Sequence, residues 1–316
     1  MINKEIKKIA ILGATSHIAK GLIENFSKTR EYELYLYARS TEKVIAFLEE
    51  RRLGKVEAVD NFDKFTTNKY DVVINCVGVG QPEKIKEVGF DIFKLTEEFD
   101  NLAINYLQEN HECLYVSLSS GAVYGKNFTS PVSISSPAIV DINNLSPIDS
   151  YGLAKLCAEA KHRALVSYNI VDLRIFSYFS QDINLKSKFL LSEIITSIEN
   201  NKPLITTKND IVRDYIHPLD LFDLITLCFK KQRINDVFDA YSKKPVAKFE
   251  LFDFLAKQYN FKYKVKRDIN KESSTGAKNV YYSINHKAKA IGYSPKYTSL
   301  EAISDECSKL IRRNHG

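Results

Sequence analysis

Short apolar runs alternate with amphipathic segments along the first 175 residues of the chain. The apolar runs span residues 7–13, 32–38, 55–59, 71–78, 113–120 and 170–176. The amphipathic segments between them lie near residues 17–28, 41–53, 85–109 and 150–168. Short apolar runs of this kind predict buried strands, and apolar residues at helical spacing predict helices between them. Strands that alternate with helices predict an α/β fold with a doubly wound parallel sheet, covered by helices on both faces.

The second half of the chain has a less regular pattern. It predicts helices at residues 187–201, 218–231, 248–260 and 299–312. It also predicts one strand that ends near Ile216 and another that lies near 236–240. We expect residues 1–175 to form the main domain, with segments near 211–240 returning to it. Residues 176–316 are expected to form mainly a smaller C-terminal lobe, in which the Lys-rich segment 262–280 is exposed.

The first turn of the chain has features of a dinucleotide-binding turn. The segment ILGATSHIAKGLI follows the first predicted strand and opens the first predicted helix. In this geometry, backbone N–H groups and the helix dipole hold a pyrophosphate, as in a Rossmann-type domain. Gly13 occupies the first glycine place of the usual fingerprint, whereas Ser16 and Ala19 replace the other two. We expect Gly13, Ser16, His17 and Ile18 to bind a cofactor; the alternative is an ordinary βα turn that contains a glycine.

The end of the second predicted strand bears on which dinucleotide binds. NAD-binding chains usually have an acidic residue there, which accepts hydrogen bonds from the ribose 2′-OH. This chain has Arg39 and Ser40, followed by Lys43, and a guanidinium binds a 2′-phosphate through charge-assisted hydrogen bonds. We therefore favour NADP(H) over NAD(H), the alternative being an arginine that merely faces solvent. Asp60, after the third strand, either binds the adenine amino group or begins a turn.

Tyr151 and Lys155 are candidates for proton transfer. They lie four residues apart in the segment SPIDSYGLAKLCAEA, which places both on one face of a helix. An ammonium beside a phenol is expected to lower the phenol pKa from about 10 towards neutrality. Ser120, at the end of the strand segment YVSLSSGAVYG, is expected to complete the site. Because Tyr and Lys are common in this chain, the pair alone is also compatible with chance. Residues 126–148 are rich in Ser, Pro and Asn, and predict a loop placed to cover a substrate.

Several segments, in order, resemble the extended short-chain dehydrogenases/reductases, the group of nucleotide-sugar epimerases and dehydratases. These segments are ILGATSHIAKGL, SLSSGAVYG, SYGLAK, LRIFSYFS, VRDYIHPLDL and INHKAKAIGYSPKYTSLEAI. The resemblance covers nearly the whole chain. It implies a Rossmann-type fold with a C-terminal substrate-binding lobe, a nucleotide-diphosphate sugar as substrate, and a homodimer formed through the helices near 85–109 and 150–168.

The same resemblance implies roles for individual residues. Ser120, Tyr151 and Lys155 match the catalytic residues, and Lys155 also contacts the nicotinamide ribose. Ser119, beside Ser120, is expected with it to bind the substrate. Arg213 matches an arginine that contacts the nucleotide diphosphate, and its planar fork suits paired phosphate oxygens. Ser177 stands at a substrate-binding position where the family usually has Asn.

The family chemistry implies hydride transfer at a sugar carbon, usually C4, with the tyrosine exchanging a proton. The 4,6-dehydratases of the family usually carry an Asp-Glu pair directly after the catalytic Ser or Thr, whereas this chain has Gly121 and Ala122. The relaxed phosphate turn and Arg39 indicate an exchangeable NADP(H), which favours a reductase of a 4-keto-6-deoxy nucleotide sugar. The alternatives are an NAD-dependent epimerase and a non-enzymatic NADP-sensing or RNA-binding protein, although a sensor has no need of an intact Ser120, Tyr151 and Lys155.

Composition and charge bear on the partners, the location and the metal content expected of the protein. A net charge of +6 comes from scattered lysines without a nucleic-acid-binding motif, so we expect no nucleic-acid partner. The sequence has no window of 18 or more consecutive apolar residues, so we expect no membrane span. The apolar run at Ile9–Leu12 is too short for the apolar region of a signal peptide. The five cysteines are far apart and show no zinc spacing, which favours a reducing, cytoplasmic location and predicts no bound metal.

Overall fold

The computed structural model describes residues 6–54, 56–126, 128–266 and 278–315. Its strands, numbered in chain order, are β1 (Lys7–Leu12), β2 (Tyr32–Tyr37), β3 (Val56–Asp60), β4 (Val72–Asn75), β5 (Leu114–Ser120), β6 (Ile170–Ile175), β7 (Ser177–Tyr178), β8 (Leu204–Thr206), β9 (Val212–Arg213), β10 (Tyr215–Ile216), β11 (Asn235–Ala240), β12 (Val246–Ala247), β13 (Tyr263–Val265) and β14 (Val280–Tyr281). Its α-helices are α1 (His17–Phe26), α2 (Thr41–Glu50), α3 (Pro82–Val88), α4 (Asp91–Glu109), α5 (Ser150–Ala164), α6 (Leu190–Glu199), α7 (Pro218–Phe229), α8 (Lys248–Tyr259) and α9 (Ser299–His315).

Seven of these strands form one parallel sheet in the order β3-β2-β1-β4-β5-β6-β11. Every neighbouring pair in it is parallel. The arrangement confirms the predicted doubly wound, Rossmann-type α/β fold. The strand order reverses between β1 and β4, and in such sheets ligands bind in the crevice outside the carboxyl ends of the strands at that point.

The two faces of the sheet are buried separately because side chains alternate along each strand. On β1, Ile9 and Ile11 belong to an apolar cluster shared with α1 and α7. Ala10 and Leu12 point the other way, into a cluster shared with α4. The near-continuous apolar runs recognised in the sequence therefore correspond to strands that are covered on both faces.

Elements of the second half divide between the main sheet and a separate core. Strand β11 returns to the sheet beside β6, as expected for the segments near 211–240. Helices α6, α8 and α9 surround another apolar cluster that includes Ile194, Phe252 and Ile303. Short strands form three small sheets around it. The division into residues 1–175 and 176–316 stays a prediction, and residues 267–277 of the Lys-rich segment lie outside the described residues.

The prediction of one continuous helix near residues 85–109 is wrong. The structure has two helices there, because α3 ends at Val88, with Gly89 as its C-cap, and α4 begins at Asp91. Gly89 has a φ of +57°, a left-handed conformation that ends helices and that glycine adopts readily. Among its described residues, the predicted loop at 126–148 contains short 3₁₀ turns, such as Ile142–Asn144, and an isolated bridge between Val132 and Ser283.

Candidate active site

A cleft of about 1330 Å³ opens at the carboxyl ends of β1, β4 and β5. Ligand sites for small molecules usually measure about 300–1,000 Å³, so this cleft has room for a cofactor and a substrate together. The predicted site residues that line it are Ser16, His17, Ile18, Arg39, Ser119, Ser120, Tyr151, Lys155, Ser177 and Arg213. Gly13, Ser40 and Asp60 lie outside its lining.

Ser120, Tyr151 and Lys155 are brought together at the middle of this cleft. Ser120 is the last residue of β5, and its Oγ caps the following 3₁₀ turn by accepting from the Ala122 N–H at 3.2 Å. Tyr151 and Lys155 lie one turn apart on α5, and Ser120 hydrogen-bonds the Tyr151 phenol. Lys155 is 5% exposed. Among the described residues its ammonium has no ion-pair partner, which leaves it available to a bound molecule.

The expectation that Lys155 lowers the pKa of Tyr151 towards neutrality is not met in the structure. Burial raises the pKa of the Tyr151 phenol above its usual value, and the hydrogen bond from Ser120 opposes that shift. Burial also lowers the pKa of Lys155, while Asp100 and Asp172 act in the opposite direction. The sequence argument considered only the attraction between ammonium and phenolate. It could not include the desolvation of both groups, which is the larger effect here.

Two glycines allow the catalytic elements to approach one another. A Cβ at Gly152, beside Tyr151, would lie 2.6 Å from the carbonyl oxygen of Ala122. A Cβ at Gly121, directly after Ser120, would lie 2.4 Å from the ring of Phe176. Such contacts are too short for a side chain. Helix α5 and the ring of Phe176 can therefore pack closely against the turn after β5 only because these positions lack side chains.

Ser119, expected to bind the substrate, hydrogen-bonds a residue of α5. Its Oγ donates to Glu159 Oε1 at 2.5 Å, behind the cleft wall. Glu159 in turn pairs with Arg174 at 2.6 Å, and both oxygens of the carboxylate are engaged. Ser119 thus lines the cleft while its proton is directed away from it.

The predicted phosphate-binding turn is present between β1 and α1. Gly13 has a φ of +75°, and a Cβ there would lie 3.0 Å from Val77, so the turn packs closely on the end of β4. Ser16 caps α1, its Oγ accepting from the Ala19 N–H at 3.3 Å. The larger residue in the second fingerprint place therefore satisfies one of the helix N–H groups itself.

His17 begins α1 at the wall of the cleft. Burial lowers its pKa to about 4, so the imidazole is neutral at pH 7. Within the described part of the chain its Nε2 is buried without a hydrogen-bond partner. An unpartnered nitrogen here, with the buried ammonium of Lys155, fits a cleft that holds a polar cofactor.

The three residues expected to bind the adenosine half of the cofactor, Arg39, Ser40 and Asp60, differ from one another in their contacts. Arg39 is exposed on the cleft lining and makes no ion pair within the described residues. Ser40 donates to Glu42 at 3.1 Å. Asp60 accepts from the Asn61 N–H at 2.9 Å and pairs with Lys64 at 3.1 Å. These contacts favour the interpretation in which Asp60 begins a turn, because its oxygens are already engaged.

The half of the cleft expected to bind the substrate contains two cations, Arg213 and Lys278, the second of which sequence reasoning missed. Arg213 is 5% exposed, and its Nη1 donates to the Val212 carbonyl at 2.9 Å. Burial and the neighbouring Arg213 guanidinium lower the pKa of Lys278 to about 8, with Asp149 opposing them. Two like charges in a partly buried site favour the binding of an anion between them. Ser177, on β7, lines the same half.

Tyr281 is the other missed residue. Its hydroxyl lies 3.3 Å from Ser120 Oγ, although the two residues are 161 positions apart. Its ring faces Lys278 at 4.4 Å and Arg213 at 5.7 Å. No motif around Tyr281 marks it in the sequence, because its place depends on the pairing of β14 with β9.

Outside the cleft, one group within the described residues has the side chains of a metal site. His217, Asp305 and Glu306 place their ligand atoms within 4.8 Å of one another. However, the Lys309 ammonium lies 2.7 Å from Asp305 and 2.6 Å from Glu306, and compensates their charge. The His217 Nδ1 accepts from the Leu219 N–H at 3.1 Å, which gives it a structural role as the cap of α7. In the described part of the chain, each helix is too short or too polar to span a bilayer.

The sheet topology and the cleft at its switch point define an extended short-chain dehydrogenase/reductase. The family model described as "NAD dependent epimerase/dehydratase family" matches residues 9–241, and the chain belongs to that family. This confirms the resemblance found in the sequence, and with it an enzyme class that acts on nucleotide sugars. No curated protein sequence matches the chain.

Solved structures with the same fold have low sequence identity to this chain. UDP-glucuronic acid 4-epimerase from Bacillus cereus, in complex with UDP-glucuronic acid and NAD, has a TM-score of 0.78 and 17% identity, over 97% of this chain and 99% of that one. UDP-glucose 4-epimerase from Thermotoga maritima, with UDP-glucose, has a TM-score of 0.79 and 15% identity, over 98% and 100%. dTDP-glucose 4,6-dehydratase from Bacillus anthracis, with NAD, has a TM-score of 0.76 and 14% identity, over 98% of each chain.

Proposed function

We propose that the protein is an NADPH-dependent reductase of a nucleotide-linked 4-keto-6-deoxy sugar. The observation that carries the proposal is the convergence of Ser120, Tyr151 and Lys155 in one cleft, between the phosphate turn and the cations Arg213 and Lys278. The turn would hold the cofactor pyrophosphate, and the cations would hold the diphosphate of the sugar nucleotide. The sugar would then lie against Ser120 and Tyr151.

The chain's own residues would handle the proton and the developing charge. A nicotinamide cofactor, when bound, supplies the hydride that reduces C4 of the sugar. Tyr151 donates its phenolic proton to O4, and Lys155 stabilises the phenolate that results. Ser120 donates a hydrogen bond to the same oxygen and stabilises the negative charge that develops there. Burial of Tyr151 keeps it protonated before the reaction, as a proton donor requires.

The surroundings of Ser120 argue against a dehydratase. Elimination of water needs a further acid and base, and the family's dehydratases usually place them directly after the catalytic Ser or Thr. Gly121 and Ala122 occupy those places here, and an Asp in place of Gly121 would collide with Phe176.

Arg39 is the residue that favours NADPH, and hence net reduction. It lines the cleft at the end of β2, where NAD-binding chains usually have an acid. An NAD-dependent 4-epimerase is the second candidate, because several of the solved structures with this fold are nucleotide-sugar 4-epimerases, some with NAD bound. An epimerase retains and regenerates its cofactor, so the two candidates differ in net consumption.

A spectrophotometric assay separates them. The purified protein is mixed with NADPH and, in turn, with dTDP- and GDP-linked 4-keto-6-deoxy sugars. Loss of the NADPH absorbance band that depends on the sugar supports the reductase. Bound NAD in the purified protein, with interconversion of UDP-sugars and no net consumption, would instead establish the epimerase. Absence of both cofactor binding and turnover would contradict an enzymatic role.

We also propose a homodimer that forms through α4 and α5, as in relatives of this family. Cys157 is exposed on α5 and lies outside the lining of the cleft. Light scattering coupled to gel filtration should give twice the monomer mass, and a Cys157→Arg variant should elute as a monomer. A monomeric parent protein would contradict this proposal.

A further inference from the structure

Tyr281 is held rigidly at the floor of the substrate half of the cleft. It is 5% exposed, and its backbone pairs with Arg213 across the small sheet. Its ring packs edge-on against Phe128 at 4.8 Å and against Phe176 at 5.1 Å. Because the ring is fixed on several sides, the phenol oxygen has little freedom to leave Ser120.

The hydrogen bonds of Ser120 can be counted. A serine hydroxyl has one proton to donate and two lone pairs that accept. One lone pair accepts the Ala122 N–H at 3.2 Å. In the proposed mechanism, the single proton of Ser120 is directed at the reacting sugar oxygen beside Tyr151, so Ser120 is the donor on that side. The remaining lone pair faces the Tyr281 hydroxyl at 3.3 Å.

We infer that Tyr281 is a positioning residue, whose hydroxyl donates to Ser120 Oγ and thereby directs the Ser120 proton towards Tyr151 and the reacting sugar oxygen. With both lone pairs occupied, the Ser120 proton has no other direction in which to point. Without the Tyr281 hydroxyl, Ser120 can rotate and donate elsewhere. This inference rests on the proposed roles of Ser120 and Tyr151.

Tyr281 does not act as a second acid or base. Burial raises its pKa well above the usual value. Lys278 and Arg213 face its ring. The phenol therefore stays protonated at pH 7, as a permanent donor must.

The test uses Tyr281→Phe, which keeps the ring and removes only the hydroxyl, with Tyr282→Phe as the matched control in the next position. With NADPH and dTDP-4-keto-6-deoxyglucose, Tyr281→Phe should lower kcat about 3- to 10-fold, as for one lost hydrogen bond, and leave both KM values within about twofold. Tyr282→Phe should change neither. In a Ser120→Ala background, Tyr281→Phe should cause no further loss, since the residue acts through Ser120.

A second measurement needs no substrate. Protein labelled with ¹³C at tyrosine Cζ is compared by NMR, the Tyr151 signal being the one absent from Tyr151→Phe. That signal should move in the same direction in Ser120→Ala and Tyr281→Phe, and adding Tyr281→Phe to Ser120→Ala should move it no further. Equal losses of kcat in both backgrounds, an effect confined to KM, or a Tyr151 signal that ignores Tyr281→Phe would overturn the inference. Full activity of Ser120→Ala would instead refute the proposed role of Ser120 as well, so the two failures are distinguishable.

Discussion

Two ends of the cleft are built in different ways: the catalytic end, proposed to carry out the chemistry at Ser120, Tyr151 and Lys155, and the adenosine end, proposed to bind the cofactor near Arg39. At the catalytic end, Ser120, Lys155 and Tyr281 are each at most 6% exposed, and glycines allow their elements to touch. At the adenosine end, Arg39 is exposed, and Asp60 is engaged with a neighbour on its own segment. A close-packed site fixes the direction of each proton, whereas an exposed charge can change with little effect on the fold. Under the proposed function, the residues that carry out the chemistry therefore lie in the core, and the residue proposed to select the cofactor lies at the surface.

The most severe test removes the Tyr151 hydroxyl. General acid catalysis contributes about 10²–10⁴ in rate, so Tyr151→Phe should lower kcat by about that factor. The affinity for NADPH should stay nearly unchanged, because the phenol acts mainly in the transition state. Steady-state kinetics and cofactor titration by fluorescence measure both quantities. Near-normal turnover would exclude a proton-transfer role.

The next test concerns what holds α5 in place below the catalytic residues. Burial lowers the pKa of His162, but hydrogen bonds to Asp100 and Asp172 at 2.8 and 2.9 Å outweigh it and raise the pKa to about 9. The protonated imidazole of His162 makes its full contribution to stability at pH values below about 6.5, the pKa of histidine in the unfolded chain. This contribution is lost as the pH rises through about 9, the pKa in the folded protein. The free energy of unfolding should fall by roughly 3 kcal/mol over that range.

Urea unfolding at both ends of this pH range measures the difference. His162→Gln should flatten the dependence, whereas the exposed His111→Gln should retain it. An identical slope in His162→Gln and the parent protein would show that another group is responsible.

The adenosine end is tested by Arg39→Ala. Loss of charge-assisted hydrogen bonds costs about 1.5–3 kcal/mol, so the Kd for NADPH should rise about 10- to 100-fold, and that for NADH should change little. Isothermal titration gives both values, with Lys43→Ala as a control for general loss of positive charge. Equal losses for the two cofactors would mean that Arg39 does not contact a 2′-phosphate.

The smallest effect is expected from Gly152→Ala, which tests the close packing of the catalytic end. The added methyl would lie 2.6 Å from the Ala122 carbonyl oxygen, so α5 must shift. Overpacking of this kind costs about 1–3 kcal/mol of stability, and kcat should fall because Tyr151 moves with the helix. Gly54→Ala, where nothing lies within 4 Å, is the matched control. Unaltered stability and kcat in both variants would leave the packing argument without support.

The sequence predicted the sheet well and the site only in part. Six apolar runs correspond to β1–β6. The central strands β4 and β5 are buried along their whole length, because both faces of the sheet are covered there, whereas the edge strand β3 is only partly buried. The break at Gly89 was overlooked, although a glycine inside a helical pattern is a signal for it. Ser120, Tyr151 and Lys155 were predicted to lie together because short motifs mark them, and the structure brings them into one cleft. The partner of Ser119 was not found, since Glu159 reaches it only after α5 packs on the sheet.

Local periodicity and spacing were sufficient to predict a doubly wound α/β fold and a tyrosine and lysine on one helix face, because both depend on residues a few positions apart. The sign of the Tyr151 pKa shift and the contact of Tyr281 with Ser120 became visible only in the folded molecule. Desolvation depends on everything packed around a group, and the hydroxyls of Ser120 and Tyr281 meet across 161 positions of chain.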